Sequence, residues 1–249
     1  MKKYWITSAH RGFCTGNMHQ NTLSAIKLAI DKGADMIETD VRTTADGFFV
    51  ANHDEDVSGF DENGNAVSYI VSETPWTVIR KVILAPNDPC GVQYVPPLEE
   101  ILELAANSGI CLNLDLKEGI LHAEEVARMV CKHGLQGKVV YATNGSGSDT
   151  IRRILTIDPK AKFIDKPENF TKENLRNIPD YHLKCYAYTS DFSDENIRKI
   201  RENGCMLATI SLDESNILEA FRHHPEMAEY PHTSDFTALD HTVSESMKG

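Results

Sequence analysis

MIETDVRTTADGFFVANHDEDV, residues 36–57, is the stretch whose reading decides the fold. Ile37 and Val41 alternate there with Glu38 and Asp40. Successive side chains of a strand point to opposite faces, so the two carboxylates share one face and the apolar residues the other. The turn TADG (44–47) leads into a second apolar run, GFFVANHD (47–54), which reads as the next strand with His53 at its end. Asp54 falls on the other parity, so its expected role is to orient a neighbour or cap.

Outward from this stretch the chain alternates short apolar runs with amphipathic ones. YWITSA (4–9) reads as a strand and NTLSAIKLAIDKG (21–33) as a helix, with Leu23, Ile26 and Ile30 at helical spacing and Gly33 at its end. Downstream, ICLNLDL, KVVYAT, AKFID, LKCYAYT and CMLATISL read as strands, each followed by a helical pattern, the last being ESNILEAFRHH (214–224). PLEEILELAANSG (97–109) is a further helix before the first of these. Eight strands alternating with helices imply a parallel sheet closed into a (β/α)8 TIM barrel, one domain spanning residues 1–249. The pattern breaks over about 54–96, where Asp, Asn, Gly and Pro accumulate; this reads as a lid-like insertion after the third strand. Residues from about 225 to 249 are polar and patternless, a tail packed outside or partly disordered.

Composition narrows the function. The net charge of −12 repels a phosphate backbone, so nucleic acid is not an expected partner. A small anionic substrate then needs a local cation. The six cysteines show no C-x-x-C pair and read as reduced thiols. The N-terminal stretch lacks the apolar core of a signal peptide, and no run is long enough to span a membrane. A cytoplasmic protein without stable membrane insertion is expected.

Catalytic groups of such a barrel sit at the C-terminal ends of its strands. His10, Glu38 with Asp40, His53, and Asp115 with Lys117 fall at the ends of four consecutive strands. In NLDLK (113–117), Asn113, Asp115 and Lys117 share one face opposite Leu114 and Leu116. A single acid at a strand end usually faces water or caps a helix. Charges alternating inside apolar strands are different, because the outer face of a barrel must be apolar against its helices. The charged face then looks into the mouth, where unpaired carboxylates are costly and a cation should accompany them. Three carboxylates suit a hard divalent ion; two histidines suit acid–base work near neutral pH. Arg11 and Lys117 suit a phosphoryl group. Together they point to phosphoryl chemistry.

These residues resemble the glycerophosphodiester phosphodiesterase family of the phosphatidylinositol phospholipase C-like barrels. HRGFCTGNMHQNT (10–22) is similar to the family's HRG…PENT opening, and GADMIETDVRTTADGFFVANHD (33–54) follows its central motif nearly letter for letter. PPLEE (96–100) and NLDLK (113–117) resemble its next two motifs, in the same order. The resemblance implies His10 and His53 as the acid–base pair and Glu38, Asp40 and Asp115 as ligands of Mg2+ or Ca2+. It implies that Arg11 and Lys117 hold the phosphate. The implied reaction cleaves a small-molecule glycerophosphodiester to sn-glycerol 3-phosphate and an alcohol.

The chain departs from the pattern at several places. Gln20 replaces Glu, keeping the hydrogen bonding without the charge, and His19 replaces Pro. Asp115 replaces Glu with a shorter reach, as in the similar sphingomyelinase D-type barrels. Gln20, Asn113 and Tyr188 are supporting or pocket candidates, Tyr188 standing in YTSD where the family often has WTVN. Asp191 in the same stretch reads either as an acid beside the substrate or as the cap of the next helix. Two other readings remain: a phosphodiesterase of the same barrel acting on lysophospholipids or another headgroup diester, and a barrel that binds phosphate esters without turnover.

Overall fold

The structure is a computed structural model, and it describes residues 8–14, 16–145, 147–189, 191, 193–209 and 232–233. The chain opens with β1 (Ser8–His10), α1 (Leu23–Asp31) and β2 (Met36–Thr43). Thr22 caps α1, its hydroxyl accepting the Ala25 N–H at 3.2 Å. Next come β3 (Phe49–Ala51), β4 (Asp56–Phe60), β5 (Ala66–Ile70), α2 (Trp76–Ile79), β6 (Ile83–Ala85) and β7 (Gln93–Tyr94). The regular part follows as α3 (Leu98–Ser108), β8 (Cys111–Leu116), α4 (Ala123–Lys132), β9 (Val139–Ala142), α5 (Gly147–Ile157) and β10 (Lys162–Asp165). It ends with α6 (Lys172–Leu175), β11 (Cys185–Thr189), α7 (Asp194–Glu202), β12 (Met206–Thr209) and β13 (His232–Thr233).

A curled parallel sheet in the order β12-β11-β10-β9-β8-β2-β1-β13 forms the barrel wall. Its outer face is apolar. Ala9, Ile37, Val41, Leu112, Leu114, Tyr141 and Phe163 pack there with helical residues such as Ile26, Ile101, Val126 and Ile151. The inner face carries the opposite parity. Met36, Val140, Ala142, Ile164, Tyr186 and Ala208 fill the barrel, with Cys111, Tyr188 and Met206 against them. Register then stacks the inward polar residues above this layer: Met36 lies opposite Cys111, Glu38 opposite Asn113, and Asp40 opposite Asp115. On the other side of β2, His10 lies opposite Glu38.

Two expectations about the strands need correction. GFFVANHD does not supply the third barrel strand. β3 runs antiparallel to β2, with Val41 opposite Ala51, and stands off the parallel path. The reason is the connection: residues 44–48 form a tight turn, and a tight turn can only return the chain antiparallel. Instead the parallel wall includes β13, which pairs with β1 through Ser8 and His232 inside the segment expected to be a patternless tail. The remainder of that tail and the helix expected over 214–224 lie outside the described residues.

The insertion is a body of its own. Its antiparallel sheet runs β5-β4-β6-β7, and Val50, Val57, Val71, Ile79, Val82 and Val95 form a separate apolar cluster beneath it. The helix after β11 is capped by Ser193, whose hydroxyl accepts the Asn196 N–H, and not by Asp191. Asp191 accepts the Ser193 N–H one step earlier. Among the cysteines Cys185 and Cys205 are buried and Cys90 is exposed; all six are free thiols.

Candidate active site

The site is built around β2 and β8. Oxygens of Glu38, Asp40 and Asp115 all lie within 4.8 Å of one another. Glu38 and Asp40 are buried, and Asp115 is half-buried. Burial and the neighbouring Asp40 charge push the Glu38 carboxyl up to about 8. Burial also works against the Asp40 carboxylate. There the Lys117 ammonium and the Asn21 amide outweigh it and hold Asp40 below its ordinary value.

Lys117 stands between two acids, its Nζ 2.8 Å from Asp40 Oδ1 and 2.5 Å from Asp115 Oδ2. Those charges raise the ammonium above its usual value against the opposing effect of burial. Arg11 occupies the other flank of Asp40, with Nε 3.0 Å from Oδ2. Its NH1 donates to Gln20 Oε1 at 3.0 Å, and its backbone N–H donates to Glu38 Oε2 at 3.0 Å. Arg11 has φ +57, an uncommon backbone for a side chain of this size, and it turns the chain sharply just after His10. His10 Nε2 lies 3.9 Å from Glu38 Oε2.

His53 arrives from the β3 arm. The Asn52 N–H donates to the Asp40 carbonyl at 3.3 Å, which brings His53 back beside β2. Arg42 fixes it there: Nε and NH2 donate to the His53 carbonyl at 3.0 and 2.9 Å, while NH1 reaches Glu118 at 3.2 Å. Asp54 Oδ1 lies 2.7 Å from His53 Nδ1. A proton shared there leaves Nε2 as the open nitrogen. Asn113 is buried on the inner face beside this group, and among the described residues its Oδ1 has no hydrogen-bond donor. Tyr188 is half-buried on the inner face of β11, its hydroxyl pushed up to about 12 by burial and by the charges of Asp165, Asp115 and Glu168.

The structure therefore brings Glu38, Asp40, Asp115, Lys117 and Arg11 into one contact network, with His10 beside it and Gln20 on its edge. Two residues were not on the expected roster. Asn21 Nδ2 donates to Asp40 Oδ2 at 2.6 Å, and its Oδ1 accepts the Thr39 hydroxyl at 2.9 Å. Asn144, beyond β9, donates to Asp115 Oδ1 and to the Leu116 carbonyl. Both have positive φ, a conformation for which Asn is enriched, and both follow or precede a polar neighbour at a strand or helix end.

The sequence pattern of the glycerophosphoryl diester phosphodiesterase family matches residues 10–142. The chain belongs to this family. A glycerophosphodiester phosphodiesterase of Caldanaerobacter subterraneus is 29% identical over 144 residues, covering 55% of this chain and 57% of the relative. The chain thus spans little more than half the length of the curated relatives it matches. Among solved structures, a putative glycerophosphodiester phosphodiesterase of Galdieria sulphuraria has a TM-score of 0.74 at 16% identity, over 96% of this chain and 98% of that one. A phosphodiesterase of Oleispira antarctica, in complex with the product sn-glycerol-3-phosphate, has a TM-score of 0.71 at 19% identity, over 96% of each chain. These likenesses show the fold, a TIM barrel. The matched residues 10–142 contain every site group named above except Asn144 and Tyr188.

Proposed function

We propose that this chain hydrolyses glycerophosphodiesters to sn-glycerol 3-phosphate and an alcohol, with a divalent metal ion at Glu38, Asp40 and Asp115. The observation that carries the reading is a carboxylate trio, Glu38 and Asp40 buried and Asp115 half-buried, flanked by Arg11 and Lys117, with His10 beside Glu38. The residues fit a hard divalent ion in chemistry as well as placement. They offer oxygen donors only, Glu38 is forced toward its neutral form by burial and by Asp40, and Asn113 adds a buried acceptor that has no donor among the described residues. Mg2+ and Ca2+ both suit such a set. When bound, the ion would draw charge from the phosphoryl oxygens and lower the barrier to displacement.

The protein's own groups do the rest. Arg11 presents a planar cation and Lys117 a compact one, so a phosphodiester is held by its non-bridging oxygens. Gln20 steadies the guanidinium from outside. His10 ends β1 and His53 follows β3, both on the edge of β2 away from β8; one is to remove a proton from the attacking oxygen while the other delivers one to the leaving alcohol. Asp54 holds the ring of His53 with Nε2 free for that exchange. Within the described residues no helix is long and apolar enough to cross a membrane.

The test is release of sn-glycerol 3-phosphate from several glycerophosphodiesters, with a lysophospholipid as control. Release that is abolished by exhaustive chelation and restored by Mg2+ or Ca2+ supports the reading. Headgroup alcohol released only from the lysophospholipid, with lysophosphatidic acid as the other product, overturns the substrate assignment, and turnover that persists without metal overturns the metal assignment.

A further inference from the structure

The insertion reaches the site through one carboxylate. Asp88 lies in the turn between β6 and β7 and is 7% exposed. Its Oδ1 accepts the Cys90 N–H at 2.8 Å, which closes its own turn. Its Oδ2 is not needed for that turn; it accepts the backbone N–H of His19 at 2.7 Å, 69 positions earlier in the chain. His19 belongs to the loop between β1 and α1 that carries Arg11, Gln20 and Asn21.

The two ends of that loop are held by the barrel. Arg11 N–H is on Glu38, and the Asn21 side chain is on Asp40 and Thr39. Its 16–20 stretch is held differently. Among the described residues, the hydrogen bond reaching that stretch from outside the loop is the one to Asp88. The other bonds there are internal: Thr22 Oγ1 to the His19 carbonyl, His19 Nδ1 with the Gln20 carbonyl, and Arg11 NH1 to Gln20 Oε1.

We propose that Asp88 is a positioning residue and that the insertion acts as a brace for the loop that faces the phosphate. Asp88 fixes the His19 backbone, the adjacent Gln20 carboxamide then stays on Arg11, and the guanidinium is kept aimed into the mouth. This rests on reading the mouth as a phosphodiester site. It assigns the insertion a task that covering the site does not require. The brace acts on anion binding and leaves the two histidines untouched, so its loss shows in KM more than in kcat.

Two substitutions break the same bond from opposite ends. Asp88→Ala removes the acceptor, and His19→Pro removes the donor while leaving Asp88 on Cys90. Proline stands at this place in the family pattern the chain resembles, so the loop backbone is compatible with it. Asp61→Ala is the control: Asp61 closes the β4–β5 turn within the insertion through Asn63 and Asn65, away from the loop. The readouts are KM and kcat for sn-glycero-3-phosphocholine, the dissociation constant of inorganic phosphate, and Tm. The expected result is a rise of about tenfold in KM and in the phosphate constant for each of the two variants, the scale of one charge-assisted hydrogen bond. Their kcat stays within about twofold, and the double variant is no worse than either single one. The control lowers Tm without moving KM. If His19→Pro leaves both binding constants unchanged, or if Asp88→Ala behaves like the control, the brace is overturned, and His19→Pro still decides should Asp88→Ala fail to fold. If the wild-type protein neither turns over the diester nor binds phosphate, the phosphodiester reading itself fails and the brace falls with it.

Discussion

Strand β2 and strand β4 carry the same alternation and put it to opposite ends. In β2, Glu38 and Asp40 alternate with apolar residues and are buried in the barrel. In β4, Asp56 and Ser58 alternate with Val57 and face water. Asp56 accepts the hydroxyls of Ser58 and Ser68 across the sheet, and those bonds lower it below its ordinary value. Glu38 moves the other way, up to about 8, because it is buried beside Asp40. Period two thus tells which residues share a face. What lies beyond that face decides whether they are solvated charge or a site: open solvent above β4, the closed curve of the barrel above β2.

The sharpest way to break this comparison is to remove groups from each face. His10→Ala or His53→Ala should cut kcat by about 10²–10⁴-fold with Tm nearly unchanged, whereas Asp56→Ala should leave turnover at the wild-type level. Steady-state kinetics with parallel thermal melts check this; wild-type turnover in either histidine variant removes the acid–base pair. Next in size is a cavity in the core of the insertion. Ile79→Ala should cost about 2–5 kcal/mol in denaturant unfolding, because Ile79 is fully buried in that cluster. A smaller effect is expected from Asn21→Ala. It strips Asp40 of its amide donor and should weaken Mn2+ binding, read by electron paramagnetic resonance, by about 10–100-fold.

A further prediction concerns pH. The folded state raises the Glu38 value from 4.5 to about 8, so between those limits the native protein binds more protons there than the unfolded chain. The stability contributed by that proton is full below about 4.5 and is lost as pH rises through about 8. Glu38→Gln should flatten this slope in metal-free protein when Tm is followed from pH 5 to 9. A slope unchanged by the substitution would assign it to other groups.

Much of the site was legible because strand parity is local. Glu38, Asp40, Asn113 and Asp115 were placed on the inner face from their spacing alone, and register then put Asp40 opposite Asp115. The alternation of strands and helices was legible for the same reason, except at β3. The TADG turn is too short for a parallel crossover, and reading that length would have made β3 a hairpin arm. β13 was not legible, since two residues in a polar segment carry no period. Nor were the bonds of Asn21 and Asn144. Each depends on a partner 18 or more positions away, and a lone asparagine beside a turn looks the same in sequence whether it closes the turn or supports a carboxylate.

Lys117 carries a last consequence. Its ammonium sits against Asp40 and Asp115, and Arg11 sits on the far side of Asp40. The carboxylates therefore have counter-charges supplied by the chain itself. Assembly of the barrel does not have to wait for a divalent ion, and the newly made protein can reach its native shape first and be loaded afterwards. With the metal proposed at Glu38, Asp40 and Asp115, chelation should stop turnover without unfolding the chain.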